Sequence, residues 1–161
     1  MTTYLKEDFP FDDDLMLEDS LDSAAAVSAI VASQVGKILD VAKILDLGDG
    51  VVEGYMIVDI DAIDVSAADE LYEIWLQGAQ SATFGTAGLI RVLAGVELGS
   101  GELLFNATAT TGDQGAAGDR YVVPFRNVIN GVVFRYVRAY LEIANGTGET
   151  ITCNIWLSKK R

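Results

Sequence analysis

Histidine is absent from this chain of 161 residues, and cysteine and proline are scarce. Without histidine, Ser-His-Asp and Cys-His catalysis are excluded, and the commonest side-chain ligand of transition metals is missing. Cys153 is the single cysteine, so the chain cannot form an internal disulfide. Because Cys153 alternates in phase with Ile151 and Ile155, we expect a buried and unreactive thiol.

Long apolar runs are also missing. The two longest stretches without a charge, Ser23 to Gly36 and Ile74 to Ile90, have 14 and 17 residues, fewer than the roughly 20 that span a bilayer as a helix. The first residues include Glu7, Asp8 and Asp12, where a secretory signal would be basic and then apolar. The sequence therefore predicts a soluble protein with no membrane partner and no N-terminal export signal.

Positive charge is in short supply, because the net charge is −13. Phosphate repels such a chain, so we expect no nucleic-acid partner. The distribution is uneven: residues 1–22 hold eight acids and one lysine, a net of −7, whereas residues 120–161 hold seven bases and two acids, a net of +5. In a protein that packs beside copies of itself, these ends are complementary. For a single copy, a solvated acidic tail is the alternative.

Two segments near the end of the chain, residues 132–143 and 149–158, alternate apolar and polar residues, which predicts β-strands. We expect them to pair as a hairpin through the turn Asn145-Gly146-Thr147-Gly148. One face is aliphatic and is expected in the core, with Val133, Val137, Ala139, Leu141, Ile143, Ile151, Cys153, Ile155 and Leu157. The other carries Phe134, Tyr136, Arg138, Tyr140, Glu142, Thr150, Thr152, Asn154 and Trp156.

Further strands are predicted around residues 56–60, 72–76, 89–98 and 120–128. Pro124 places the last of them at a sheet edge or a bulge, and Asn130-Gly131 predicts a type I′ hairpin turn. Short strands at this spacing are typical of sandwiches and jelly rolls. We predict an all-β fold, an antiparallel β-sandwich or jelly roll over residues 24–161, preceded by an extended acidic arm, residues 1–23.

The arm contains Tyr4, Phe9, Phe11, Leu15 and Leu17, which is more apolar anchors than a permanently disordered tail carries. We expect it to become ordered only on docking to a partner. The next segment, residues 24–47, fits either helix or strand, because a run of alanines and a repeated Lys-Ile-Leu-Asp stand beside alternating Val27, Ala29 and Val31. We favour extended structure, since the segments that follow are β.

Four aspartates, Asp59, Asp61, Asp64 and Asp69, are of the type that binds Ca²⁺ or Mg²⁺. Their spacing is not that of an EF-hand, and alternating carboxylates more often mark a solvated face. A catalytic dyad of Asp59 and Asp61 would lack an evident pocket. The glycine-rich residues 112–119 lack the lysine of a P-loop and read as a surface loop. We predict no catalytic residue, no metal and no cofactor.

Arginines and aromatic residues are interleaved late in the chain, with Arg126, Arg135 and Arg138 near Phe125, Phe134, Tyr136 and Tyr140. This composition is found in platforms that stack single-stranded bases and in the cores of protein interfaces. The negative net charge opposes the first, so we favour the second. Trp75 and Trp156 lie on faces opposite the aliphatic ones and are candidates for a second core, an interface anchor or a sugar platform.

Three features of the sequence stand out together: Ile44-Leu45-Asp46-Leu47-Gly48, then Phe134-Arg135-Tyr136-Val137-Arg138, and a Gly/Thr-rich turn before a last strand that nearly ends the chain. In this order they resemble the small jelly-roll capsid cement, or decoration, proteins of short-tailed bacteriophages. The resemblance covers roughly residues 40–158. It implies a virion structural protein, made in the host cytoplasm, that binds the outer capsid surface and clamps neighbouring major capsid subunits. The acidic arm is longer than the starts that the family leads us to expect.

The resemblance implies two partners, the major capsid protein and further copies of the chain, with a trimer favoured over a dimer. The alternative is a carbohydrate-binding or adhesion module on a virion surface, for which Trp75 near Glu73 and Asp69 is the candidate platform. For contact with a partner we predict ten residues: Tyr4, Phe9, Phe11, Leu15, Leu17, Phe134, Tyr136, Arg138, Tyr140 and Trp156.

Overall fold

The segments of alternating sequence form β-strands, and strands make up most of the described part of the chain. The computed structural model describes residues 13–19, 33–39, 41–66, 69–85, 89–101, 104, 113–144 and 150–159. A 3-10 turn, Asp13–Leu15, precedes the strands. These are β1 (Met16–Glu18), β2 (Gln34–Val35), β3 (Lys37–Ile38), β4 (Val41–Ala42), β5 (Leu45–Asp46), β6 (Glu53–Ile63), β7 (Leu71–Ala79), β8 (Arg91–Gly99), β9 (Arg120–Arg126), β10 (Val128–Ile129), β11 (Val132–Val133), β12 (Tyr136–Ala144) and β13 (Ile151–Lys159). No helix among the described residues is long and apolar enough to cross a membrane.

Two antiparallel sheets make up most of the structure. Sheet A has the order β1-β13-β6-β9, and sheet B has the order β2-β12-β7-β8, with β5 also paired to β12 beside β2. Two short hairpins, β3-β4 and β10-β11, stand outside them. The prediction of an all-β antiparallel sandwich is confirmed, while the more specific jelly-roll connectivity stays a prediction.

The core is built from one face of each sheet. Sheet A contributes residues such as Met56, Val58 and Ile155, and sheet B contributes Ile74 and Leu141; all are at most 1% exposed. Alternate residues face inwards because successive side chains of a strand point to opposite sides. The aliphatic face that the pattern predicted therefore does line the core.

Cys153 lies in this core and is fully buried, as predicted. Burial, followed by the nearby charges of Glu18 and Asp61, raises the pKa of the Cys153 thiol well above its ordinary value. A thiol of this kind stays protonated and behaves as a small apolar side chain.

The prediction that the last two strands pair as a hairpin is wrong. β12 pairs with β7 in sheet B, while β13 pairs with β6 in sheet A, so the two strands face each other across the core. Alternation cannot distinguish pairing within one sheet from packing across the core, because a strand shows one apolar face in either arrangement. The first segment is also divided: β11 pairs with β10, and β12 begins only at Tyr136.

The local signals around residues 120–133 are confirmed. Asn130 and Gly131 have φ values of 51° and 78° and join β10 to β11, as expected of a type I′ turn. Pro124 is exposed on β9, which is the edge strand of sheet A. An edge tolerates proline because its missing N–H removes no bond of the sheet ladder.

The end of the predicted arm belongs to the sandwich. β1 pairs with β13, and Leu17 is 0% exposed within the core. The Glu18 carboxylate accepts a hydrogen bond of 2.6 Å from the Lys37 backbone N–H, and a Cβ on Gly36 would lie 2.4 Å from the Leu17 carbonyl oxygen. The expectation that this part orders only on docking is therefore wrong for residues 13–19, because Leu17 gains its burial within the chain. Residues 1–12 and 20–23 lie outside the described residues.

The ambiguous segment 24–47 is extended wherever it is described. Residues 33–39 and 41–47 contain β2, β3, β4 and β5, which confirms the preference for strand there. Residues 24–32 and Asp40 lie outside the described part. The repeated Lys-Ile-Leu-Asp does not mark a helix, because β3 and the residues before β5 are held by sheet pairing instead.

We expect the substitution Leu17→Ala to lower the free energy of unfolding by about 3 kcal/mol, because it leaves a cavity in a closed core. Urea denaturation followed by circular dichroism measures the change. Val51→Ala is the control, since Val51 is 54% exposed and its truncation should cost less than about 0.5 kcal/mol. Equal and small effects of the two substitutions would show that β1 is not part of the stable fold.

Candidate interaction surface

The face of sheet B that points away from the core carries most of the described residues with interface character. We call it the outer face of sheet B and define it by three cross-strand rows. The register places Arg138 beside Gln77 and Val92, Tyr140 beside Trp75 and Gly95, and Glu142 beside Glu73 and Glu97. Each row crosses β12, β7 and β8, so the three rows lie next to one another along the strands.

Arg138 is held in place by neutral groups. Its Nε donates a hydrogen bond of 3.0 Å to Gln77 Oε1, and its guanidinium lies 4.3 Å from the centre of the Phe84 ring and 5.8 Å from that of Tyr140. Such cation–π contacts stabilise an arginine without neutralising it. Burial lowers the pKa of Arg138 from its ordinary value, but the guanidinium remains charged at any pH at which proteins fold.

The other arginines of the late strands differ in this respect. Arg120 pairs with Asp59, Arg126 with Glu53 and Arg135 with Asp46. Among the described residues no carboxylate forms an ion pair with Arg138. Four of its five N–H donors point to no described acceptor. Arg138 therefore has donors available for a group beyond the described residues.

Trp75 forms the flat centre of the outer face of sheet B. A Cβ on Gly95 would lie 2.1 Å from Cε3 of Trp75, so the indole lies directly against the backbone of β8. Only glycine allows this close approach. The pairing of Trp75 with Gly95 needs the cross-strand register, which explains why sequence reasoning singled out Trp75 and missed Gly95.

Three glutamates form the third row, and they face one another on adjacent strands. Like charges at directly opposite positions destabilise a sheet. Partial burial, followed by the charges of Glu142 and Glu97, raises the pKa of Glu73 above its ordinary value. None of the three forms an ion pair with a lysine or arginine among the described residues. This end of the face is therefore an acidic patch that no described lysine or arginine compensates.

The structure brings together three of the ten predicted contact residues, Tyr136, Arg138 and Tyr140, on the outer face of sheet B. Leu15 is half-buried against the core beside β1. Tyr4, Phe9 and Phe11 lie outside the described residues. The remaining three need correction.

Leu17, Phe134 and Trp156 are buried and are not exposed contact residues. Leu17 is in the core, and Phe134, 5% exposed, lies between β11 and β12 against Gly78. Trp156 is 3% exposed, and it lies in sheet A rather than beside Tyr140. Alternation identified its face correctly as opposite to the core but could not show that this face is covered.

On the outer face of sheet A, Trp156 and its cross-strand neighbours are buried. Met16, Trp156 and Ile57 are neighbours across three strands and are all buried. The Arg120 guanidinium lies 5.1 Å from the centre of the Trp156 ring and pairs with Asp59. Sheet A thus has a second apolar cluster, which fits the second-core alternative for Trp156.

Three of the four aspartates that suggested a metal or a dyad are engaged within the chain. Asp59 pairs with Arg120, and Asp61 accepts a hydrogen bond of 2.7 Å from the Asn154 amide. The Asp64 carboxylate accepts from the Ser66 backbone N–H at 3.1 Å. No group of three potential ligands among the described residues is arranged to hold a metal ion.

An open cleft of about 410 Å³ lies at one end of the sandwich, lined by residues that include Glu53, Leu93 and Arg126. Glu53 and Arg126 form an ion pair across it at 3.2 Å, and both are about half exposed. Since these charges satisfy each other in solvent, the cleft offers no poised acid or base.

We expect Glu73→Gln to raise the free energy of unfolding by about 0.5 kcal/mol at pH 7, because it removes like-charge contacts from the acidic row. The raised pKa means that folding favours protonated Glu73, so the penalty is complete above the folded-state pKa and is lost as the pH falls to the unfolded-state value. The gain should therefore vanish below a pH of about 4. Urea denaturation at several pH values measures it.

Glu53→Gln is the matched control, because Glu53 is a strand residue that already has a basic partner in Arg126. This substitution should leave stability unchanged or slightly lower at pH 7. A gain for Glu53→Gln equal to that for Glu73→Gln would attribute the effect to net charge rather than to the acidic row.

Comparisons with known proteins leave the chain without a relative. It matches no family model, no curated protein and no solved structure. Any function must therefore be argued from the residues themselves and from the resemblance described above.

Proposed function

We propose that the protein is a bacteriophage capsid cement, or decoration, protein that binds the outer surface of the head and links neighbouring major capsid subunits. The observation that carries the proposal is the outer face of sheet B, where Arg138, Tyr140 and Trp75 offer charge and aromatic area that the chain does not use internally. Aromatic residues and arginine are the types enriched in protein interfaces. The face is built for contact with another protein surface.

Two of the segments that carry the resemblance lie in direct contact. β5, from the segment at residues 44–48, pairs with the start of β12, and the Leu47 N–H donates to the Arg135 carbonyl oxygen at 2.8 Å. Arg135 also binds Asp46 through two hydrogen bonds of 2.7 Å. Their contact supports the view that the segments form one structural unit, which holds the edge of sheet B beside the proposed contact face.

A closed sandwich suits a mechanical role. Pressure from a packaged genome pulls capsid subunits apart, and a clamp resists by burying surface across the joint between them. Many weak contacts, multiplied over many copies, supply the strength. The two-sheet core holds the contact face rigid, and the role requires no chemical step.

The test uses heads of the phage whose genome encodes the chain, purified before and after expansion. We expect the protein to sediment with one of these forms and to raise its resistance to heat or chelator. Arg138→Glu should lower the apparent affinity at least tenfold, or about 1.4 kcal/mol, because it reverses the charge at the contact face. Its free energy of unfolding should change by less than about 1 kcal/mol.

Arg126→Glu is the matched control, because Arg126 is exposed on sheet A, away from the proposed face. It should sediment with heads as the parent protein does. Absence of binding to both head forms would overturn the proposal. If Arg138→Glu instead unfolds the chain, the outer face of sheet B is a structural wall and not a contact surface.

One observation favours a carbohydrate-binding module as the second candidate. Trp75 lies flat on β8, next to the carboxylate of Glu73 on the same face, and a flat ring beside hydrogen-bonding groups is the usual form of a sugar platform. Binding to a glycan array that is lost in Trp75→Ala, together with failure to bind heads, would establish this function in place of the first.

A further inference from the structure

The outer face of sheet B carries opposite charges on the two sides of an aromatic centre. Arg138 lies two residues before Tyr140 on β12, and Glu142 lies two residues after it. The two charged side chains are therefore about 14 Å apart along the strand. On β7, Gln77 and Glu73 stand in the same relation to Trp75.

Neither end of this pattern has an oppositely charged partner among the described residues. Arg138 has an amide and two rings as partners, and the acidic row formed by Glu73, Glu97 and Glu142 has no basic partner there. Arg138 and Glu73 are half-buried, whereas Glu97 and Glu142 are exposed, and a partly buried charge without a partner lowers stability. A partner surface that is acidic at one end and basic at the other would compensate both.

We propose that the outer face of sheet B binds the same face of a second copy of this chain, about a two-fold axis. The axis lies between sheet B of one copy and sheet B of the other. It is perpendicular to β12 and passes at the level of Tyr140. Rotation about it brings Arg138 of each copy opposite Glu142 of the other. It also brings Gln77 opposite Glu73, where the amide N–H groups can donate to the carboxylate.

The centre of the face fits such a contact. Tyr140 and Trp75 meet their own equivalents there, and Gly95 keeps the surface flat because no side chain projects from it. The same rotation brings Val92, 49% exposed, opposite Glu97 of the other copy, so this pair lies at the side of the contact and outside its charge pairing. Two-fold contacts are isologous, so each such residue acts twice.

A second copy explains the pattern better than the acidic N-terminal residues do. Residues 1–12 carry three acids and one lysine, so they would compensate Arg138 but add negative charge beside the three glutamates. A two-fold partner gives Arg138 an acid and gives Glu142 a base at the same time. The arrangement is a dimer and differs from the trimer that the resemblance favours.

The dimer is expected to be weak. β7, β8 and β12 have nine residues each, so the face extends about 30 Å along the strands and about 15 Å across them. An interface of this size is smaller than those of stable complexes and falls among weak, transient contacts. The net charge of −13 on each copy opposes association, and salt at about 0.15 M screens it over distances beyond roughly 8 Å.

Sedimentation velocity of the full chain, from about 1 to 100 μM in 0.15 M salt, tests the proposal. The parent protein should show a concentration-dependent dimer. Arg138→Glu alone and Glu142→Arg alone should each weaken it at least about tenfold, because each places like charges opposite each other twice. An equimolar mixture of the two variants should restore the dimer, since residue 138 of each copy then faces the opposite charge at residue 142 of the other.

Arg126→Glu again serves as the control and should dimerise as the parent does, and thermal unfolding monitors that every variant folds. A parent protein that stays monomeric at 100 μM would overturn the proposal, and so would a dimer that both single variants leave intact. Failure of the mixture of folded variants to associate would do the same. The proposal does not rest on capsid binding: a monomer that still sediments with heads would overturn the dimer alone, and a dimer that ignores heads would overturn the capsid role alone.

Discussion

Packing of the two inner sheet faces against each other is the interaction on which the rest of this structure depends. β12 from one sheet and β13 from the other both contribute to it, since Val137, Leu141, Cys153 and Ile155 are buried in the same core cluster. Burial of this apolar surface drives folding. It also draws in β1, because Leu17 enters the same core and ties the end of the acidic segment to the edge of sheet A. Because the inner faces of the two sheets are buried in the core, only their outer faces can contact other molecules.

The two outer faces differ because the chain closes one of them. In sheet A, Trp156 is packed with Met16 and Ile57 and is covered by an arginine that Asp59 neutralises. In sheet B, the described residues give Arg138 aromatic and amide partners but no acid, and they give the three neighbouring glutamates no base. An internally satisfied face stabilises the fold, whereas an unsatisfied one marks where another molecule binds. This contrast supports a contact role for sheet B.

A contact role agrees with the chemistry that the chain lacks. Histidine is missing, the aspartates with alternating spacing are hydrogen-bonded to their own chain, and the single cysteine is a core residue. A protein that clamps others needs a rigid body and a patterned surface. The self-complementary pattern around Tyr140 would let one such surface form a weak pair, which must dissociate before the same face meets a larger partner.

The sequence by itself determined the all-β class, the turn at Asn130-Gly131, the edge position of Pro124, the burial of Cys153 and the strand faces that point to the core, because period-two alternation and turn chemistry are local. Only the tertiary structure decided that β12 and β13 lie in different sheets, that Leu17 and Phe134 are buried, that Trp75 rests on Gly95 and that Trp156 is covered. Those outcomes follow from long-range pairing and register. An alternating strand looks the same whether its apolar face meets a neighbour within the sheet or a strand across the core.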